Sequence, residues 1–308
     1  MLTHGGSMSP RSRHASASGL VGQFAGPTSA SPGEIMSVAI TGATGFIGKK
    51  LMSVYGAEAR AVSLRGSLDG IAGADAVIHL AGEPVAQRWS DAVRERIRTS
   101  RVSGTRRVVE TMRTKPPKVL VCASAVGYYG SRGDEILTEA SAPADGFLAD
   151  VCVEWEREAH KAEEFGVRVV CIRLGLVLGN GGGLEKMLLP FKLGVGGKIG
   201  DGNQWMAWIH VDDAVGLFQF AVNTPMLSGA VNATAPNPVT NSEFTRALAT
   251  ALDRPAIFPV PKIALHMLYG HMARIVYASQ RVMPEAALRA GFQFRYPKLD
   301  AALVSILG

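Results

Sequence analysis

From Met36 onward, short apolar runs alternate with amphipathic stretches. Ser37–Ile40 reads as a strand, and Phe46–Val54 as a helix with Ile47, Leu51, Val54 and the adjoining Tyr55 on one face. Arg60–Leu64 and Ala76–Leu80 read as a second and third strand, joined by a link short enough to hold only a small crossover helix or none. A long helix over Ser90–Met112, a strand over Val119–Ala123, a helix over Asp150–Glu164 and a strand over Val167–Leu174 continue the rhythm. Alternation of this kind predicts a parallel, doubly wound α/β sheet of Rossmann type. The rhythm breaks after about residue 180, at Gly181–Gly183 and Gly194–Gly202. Helices follow over Ser242–Leu252, Pro261–Met272 and Pro284–Ala290. The expected layout is a dinucleotide-binding domain over 36–235 and a small, mainly α domain over 236–308.

Between the first strand and the first helix lies Gly42-Ala43-Thr44-Gly45-Phe46-Ile47-Gly48. A glycine loop in that position is a cofactor cradle. Gly42 permits the tight turn, Gly45 lets backbone approach a pyrophosphate, and Gly48 lets helix and strand pack closely. The helix then offers free N–H groups and the positive end of its dipole to the phosphate. The second strand decides the nicotinamide cofactor. An acid at its end would bond a ribose hydroxyl, whereas Leu64-Arg65-Gly66 offers a cation, which favours NADP(H). A solvated strand-end charge is the plain alternative for Arg65. The third strand ends His79-Leu80-Ala81-Gly82, small enough for backbone to pass beside adenine or ribose.

The chain has 308 residues, 47% of them hydrophobic, which is enough for a sizeable core. Its net charge of +6 sits largely on the long helix (Arg94, Arg96, Arg98, Arg101, Arg106, Arg107), so it is read mostly as a solvated face and not as a nucleic-acid footprint. Arg101 could instead point at the cofactor phosphates. Cys122, Cys152 and Cys171 show no metal or disulfide spacing, and no metal is expected. No apolar run reaches the length of a membrane span. Residues 1–35 are rich in Ser, Gly, Ala and Pro, carry Arg11 and Arg13, and contain one acid, Glu34. That composition predicts disorder. It fits an organellar transit peptide, chloroplast before mitochondrion. It fits equally an extension upstream of a native start at Met36, which would leave the protein cytoplasmic.

Several motifs carry a resemblance. TGATGFIG (Thr41–Gly48), HLAG (His79–Gly82), CASAVGYYG (Cys122–Gly130) and WIHVDD (Trp208–Asp213) resemble the extended short-chain dehydrogenase/reductases. TSRVSGT (Thr99–Thr105), FLADVCVEWE (Phe147–Glu156), RLGLVLGNGGG (Arg173–Gly183), IGDGNQWMAWIH (Ile199–His210), NATAPNPVTNSEF (Asn232–Phe244) and the tail Arg281–Leu303 resemble one atypical branch. That branch is the epimerase family proteins, described as nucleoside-diphosphate-sugar epimerases and, in plants, as chloroplast cell-division-inhibitor-like proteins. The resemblance implies NADP(H) bound by Gly42, Thr44, Gly45, Phe46, Ile47, Arg65, Leu80, Ala81, Gly82 and Arg101, with Val177 at the nicotinamide end.

The same resemblance exposes a gap. Active members of the superfamily use a Tyr to move the proton that accompanies the hydride, a Lys to lower its pKa, a Ser to hold the substrate oxygen, and an Asn. Ser124 fits the serine slot. The Tyr-x-x-x-Lys slot holds Phe147 and Val151, or Leu148 and Cys152 one residue on, and the Asn slot holds Arg101. Tyr128 or Tyr129 could return a hydroxyl beside Ser124, or both could be packing aromatics. Cys152 could act as a thiol acid or be inert. His210 reads as a structural hydrogen-bond partner, Trp205 and Trp208 as mouth or core residues, and Asp212 and Asp213 as a helix N-cap pair. Two functions follow from different classes. One is an NADP(H)-dependent oxidoreductase or epimerase with a non-standard proton donor and a small-molecule substrate. The other is a catalytically silent NADP(H) sensor or scaffold with a protein partner, in plants within plastid division.

Overall fold

The computed structural model describes Met1 and residues 37–308. The leader at 1–35, with the transit-peptide reading placed on it, otherwise lies outside the described residues. Six strands make one parallel sheet: β1 (Val38–Thr41), β2 (Ala59–Val62), β3 (Ala76–His79), β4 (Val119–Ala125), β5 (Arg168–Leu174) and β6 (Gly229–Ala233). Their order across the sheet is β6-β5-β4-β3-β1-β2. β1 and β3 are buried on both faces, which is why they read as continuous apolar runs. β2 forms one edge and is half exposed.

The helices between strands are α1 (Phe46–Tyr55), α2 (Asp91–Met112), α3 (Phe147–His160), α4 (Gly182–Lys192) and α5 (Val211–Asn223). α1 packs with α5 and α2 with α3, and the two pairs cover the sheet. The short link expected between the second and third strands is a single 3-10 turn, Asp69–Ile71. The chain therefore passes from β2 straight across β1 to β3, and the sheet's direction of growth reverses there. In open α/β sheets such a switch point is where ligands bind.

The sequence reading missed α4 and β6 and marked α5 only by its expected N-cap pair at Asp212 and Asp213, because glycine-rich loops interrupt the pattern before them. It also placed the end of the second strand too late. The strand stops at Val62, and Ser63–Gly66 turns back on itself through Gly66 N–H to the Ser63 carbonyl, 3.1 Å. Arg65 consequently sits on a turn and not on a strand end. Beyond the sheet lie α6 (Asn241–Leu252), α7 (Lys262–Tyr269), α8 (Glu285–Arg289) and α9 (Leu299–Leu307). α4, α6 and α9 enclose a second apolar core around Leu184, Phe191, Trp208, Phe244 and Leu303. No helix among the described residues is long and apolar enough to cross a membrane.

Candidate functional site

At the switch point, Gly42 has φ +70°. A Cβ there would lie 2.9 Å from the Ala81 nitrogen and the Leu80 carbonyl carbon, so only glycine lets the β1 loop touch the β3 loop. A Cβ on Gly48 would meet the Gly42 carbonyl oxygen at 2.2 Å. α1 starts after Gly45 with no side-chain cap and no acid in its first turn. Its leading N–H groups and dipole thus point past exposed Thr44 and Gly45 without an internal anion. These features fit a dinucleotide pyrophosphate, and Gly42 and Gly48 make the close approaches that the sequence reading gave them. Phe46 lies under a second glycine loop. Cβ atoms on Gly179, Gly181 and Gly182 would stand 2.8, 3.3 and 3.0 Å from its ring.

The loops are fixed by a buried polar chain. Thr41 Oγ1 lies 2.5 Å from His79 Nδ1, and His79 Nε2 lies 2.9 Å from Thr105 Oγ1 on α2. Leu80 N–H donates to Thr41 Oγ1 at 3.2 Å. Complete burial, reinforced by the charge of Arg101, holds His79 down to about 4, so the ring is neutral.

Arg65 is exposed. The turn carrying it is held by Arg107, which donates to the Leu64 carbonyl at 2.9 Å, and Leu64 packs 3.1 Å from where a Gly104 Cβ would be. Across the gap stands Glu83. Its carboxyl is held below the usual range by the hydrogen bond from Gln87 first, then by Arg96 and by the charge of Arg65. Arg65 and Glu83 on the loop after β3 are thus near enough for their charges to interact. Arg101 lies flat against Gly82, donates to the Glu83 carbonyl at 3.0 Å and stacks 5.1 Å from the Trp155 ring centre. The α2 arginines are a solvated face only in part. Arg96 pairs with Glu83, Arg98 with Glu154 and Arg106 with Glu158, and Arg94 lies over Trp89 and Phe147.

At the carboxyl end of β4, Ser124 is buried and its hydroxyl donates to Glu156 at 2.6 Å. Arg173 on β5 grips the same carboxylate with two bonds, 2.8 and 2.7 Å, and donates to the Tyr129 hydroxyl at 2.9 Å. Tyr129 is wholly buried and donates onward to Asn232 Oδ1 at 2.7 Å. Burial raises its hydroxyl to about 12. Tyr128 is only half-buried, its ring face lies 3.5 Å under the Arg173 guanidinium, and its hydroxyl has no hydrogen bond among the described residues. Phe147 opens α3, and Val151 is buried. Cys152 is buried and pushed up to about 12 by desolvation, which favours the inert reading.

Glu156 and Arg173 escaped the sequence reading. A signal existed, since an arginine within the apolar strand VVCIRL and a glutamate on the apolar face of α3 each demand a buried partner. The N-cap expectation is corrected. His210 caps α5 by accepting from Asp212 N–H at 3.1 Å, while Asp212 pairs with Lys50 and Asp213 receives the Arg295 and Tyr296 N–H groups. Capping agrees with the structural role read for His210. Trp208 is core. Trp205 is partly exposed, donates to Asp134 at 2.5 Å and lies 4.3 Å from Arg281. Val177 is half-buried on a short strand paired with 208–210.

The model of the NAD dependent epimerase/dehydratase family matches residues 59–233, and one described as a domain of unknown function matches 260–306. A chloroplastic epimerase family protein SDR39U1 homolog of Arabidopsis thaliana is 39% identical over 88% of this chain and 87% of its own. The epimerase family protein YfhF of Bacillus subtilis is 36% identical over 88% of this chain and 98% of its own. The crystal structure of human epimerase family protein SDR39U1 with NADPH superimposes with a TM-score of 0.81 at 32% identity, covering 88% of this chain and 99% of that one.

Proposed function

Because the chain belongs to the NAD dependent epimerase/dehydratase family, we propose that it binds NADP(H) across the β1–β3 switch point and acts as an atypical short-chain oxidoreductase or nucleotide-sugar epimerase. The observation that carries this reading is the uncapped, acid-free start of α1 beside Gly42 and Gly48, whose Cβ positions are blocked by backbone. The NADPH in the human relative's structure supports the choice of cofactor. In this reading Arg65 meets the 2′-phosphate, Arg101 and the Leu80–Gly82 backbone line the ribose side, and Val177 flanks the nicotinamide end. NADPH, when bound, supplies the hydride.

The proton is the open step. Ser124 already gives its hydrogen to Glu156, so toward a substrate it would be an acceptor, and Tyr129 is enclosed. Tyr128 is the hydroxyl left to donate. Arg65→Ala is expected to weaken NADPH about tenfold or more while NADH changes little, the scale of a charged hydrogen bond. Equal losses in calorimetry would refute the 2′-phosphate role. Tyr128→Phe is expected to abolish turnover of a carbonyl or nucleotide-sugar substrate while leaving NADPH affinity unchanged. Undiminished turnover would remove Tyr128 from the chemistry.

A second reading, a silent NADP(H) sensor or scaffold, is favoured by Phe147 and Val151 standing in place of the Tyr and Lys. Tight NADPH binding with no turnover across a broad panel supports it. Turnover lost on Ser124→Ala or Tyr128→Phe excludes it. The composition of residues 1–35 and the chloroplastic Arabidopsis relative support a plastid address. A fluorescent protein fused after residues 1–35 that stayed in the cytosol would overturn that address.

A further inference from the structure

α7 contains Ile263, Ala264, Leu265, Met267, Leu268 and Tyr269 among its eight residues, yet none of the eight is buried. Beside it, Val260 N–H donates to the Lys198 carbonyl at 2.7 Å and the Val260 carbonyl accepts from Gly200 N–H at 3.0 Å, so the segment after α4 and the segment before α7 form one surface. Leu189, Leu193, Phe258, Ile263, Met267 and Leu268 on these segments are 64–73% exposed. So continuous an apolar face on a folded protein marks an interaction site.

The charge on this face is mainly basic, with Asp201 and Asp253 at the ends of the segments that form it. Residues 186–200 and 254–284 together hold seven lysines and arginines and no aspartate or glutamate, in a chain with 32 basic and 26 acidic residues. Lys192, Lys198, Arg254, Lys262 and Arg274 are all exposed. A groove of about 550 Å³ opens along α6 at the edge of the patch. Lys198, Arg246 and Arg254 line it, with one acid, Asp253, the Ser242 and Thr250 hydroxyls, and Ile257. Cations and hydroxyls around a groove fit a phosphate ester, and the adjoining apolar residues fit what such an ester carries in a lipid.

We propose that this face, formed by the segment after α4, the 254–261 segment and α7, docks on the surface of an anionic phospholipid bilayer. The apolar residues enter the boundary between headgroups and acyl chains, and the groove takes a headgroup phosphate. A second copy of the chain fits less well. A two-fold interface sets a patch against itself, so five exposed cations would face their copies with only Asp201 and Asp253 beside them to offset the repulsion. The face adjoins the cofactor side of the fold, since Gly270 after α7 lies against Arg88 in the loop that follows β3.

Flotation of the full chain with vesicles tests the proposal. Vesicles of equal parts phosphatidylcholine and phosphatidylglycerol are expected to carry the protein, and phosphatidylcholine alone to leave it behind. Ile263→Asp with Met267→Asp, and separately Lys198→Glu with Arg254→Glu, should each lower vesicle affinity about tenfold or more. All four positions are exposed, so thermal midpoints should hold, and either pair suffices if the other folds poorly. Equal binding to both vesicle types, or none to either, overturns the proposal. So does full displacement by glycerol 3-phosphate, which would make a free phosphate ester the ligand. A dimer seen by light scattering that Met267→Asp dissociates, without vesicle binding, would assign the face to a second copy.

Discussion

His79 joins three elements through two hydrogen bonds to hydroxyls, and complete burial together with the nearby charge of Arg101 keeps its ring neutral. Its folded pKa is depressed from 6.5 to about 4, chiefly by burial. For a base depressed on folding, the unfolded chain takes up the proton first. Stability is therefore full above pH 6.5 and falls between pH 6.5 and about 4, by a total of about 3 kcal/mol. Urea unfolding across that range should show the decline, and His79→Gln should flatten it. A wild-type profile that is flat from pH 7 to 4.5 would contradict the assignment. The glycines bear a comparable constraint. Gly48→Ala would push a methyl group into the Gly42 carbonyl, so the loop must move, and NADPH affinity should fall further than the thermal midpoint does. Such residues were legible to different degrees. The glycine spacing announces itself, because each glycine answers to neighbours within a few positions. The Thr41–His79–Thr105 chain does not, because its members stand 38 and 26 residues apart and meet only when the sheet forms.

At the level of elements, the pairing of α2 with α3 and of β4 with β5 depends on charge as well as apolar contact. Glu156 sits between Ser124 and Arg173, and Glu158 receives Arg106 and Lys161. The Glu156–Arg173 pair is nearly removed from water, with side-chain exposures of 10% and 5%. Removing one partner strands the other charge. Glu156→Gln is thus expected to cost about 3–5 kcal/mol, while Glu156→Leu with Arg173→Met should cost clearly less than the two single losses added together. Additive losses in chemical denaturation would show that the two residues do not act as a pair. Strands β1 to β5 and helices α1 to α3 were readable because uninterrupted periodicity sets them. α4 and β6 were not, and α5 showed only its start, at Asp212 and Asp213. α4 begins within the glycines that mark a loop, and Pro190 lies inside it. β6, GAVNA, is a short run carrying a glycine and the polar Asn232, and it becomes a strand by lying along β5. Its Asn232 is wholly buried because Tyr129, Glu139 and Met283 satisfy it.

In the whole molecule, the last segment of the chain is fastened back onto the sheet at the start of α5. Both oxygens of Asp213 are used, by Arg295 N–H at 2.6 Å and Tyr296 N–H at 2.9 Å. His210 lies 3.9 Å from the Tyr296 ring centre, with its Nε2 3.2 Å from Ser305 Oγ. α9 then packs on α6, whose start is fixed by the Thr240–Glu243 capping box. WIHVDD thus serves as an anchor, with His210 and Asp213 holding the tail and Asp212 tying α5 to α1 through Lys50. The sequence showed that motif and its resemblance but not its partners, which lie more than 80 residues downstream. If the anchor is as local as its bonds, Asp213→Ala should release residues 293–307 without loosening the sheet. Amide exchange should then quicken across α9 and the strand-like stretch before it, while β1, β3, β4 and β5 keep their protection. Asp213→Asn keeps one acceptor and should fall between. Faster exchange spread evenly over sheet and tail would mean that the two unfold as a single unit and that Asp213 stabilises the whole fold, not the attachment of its last segment.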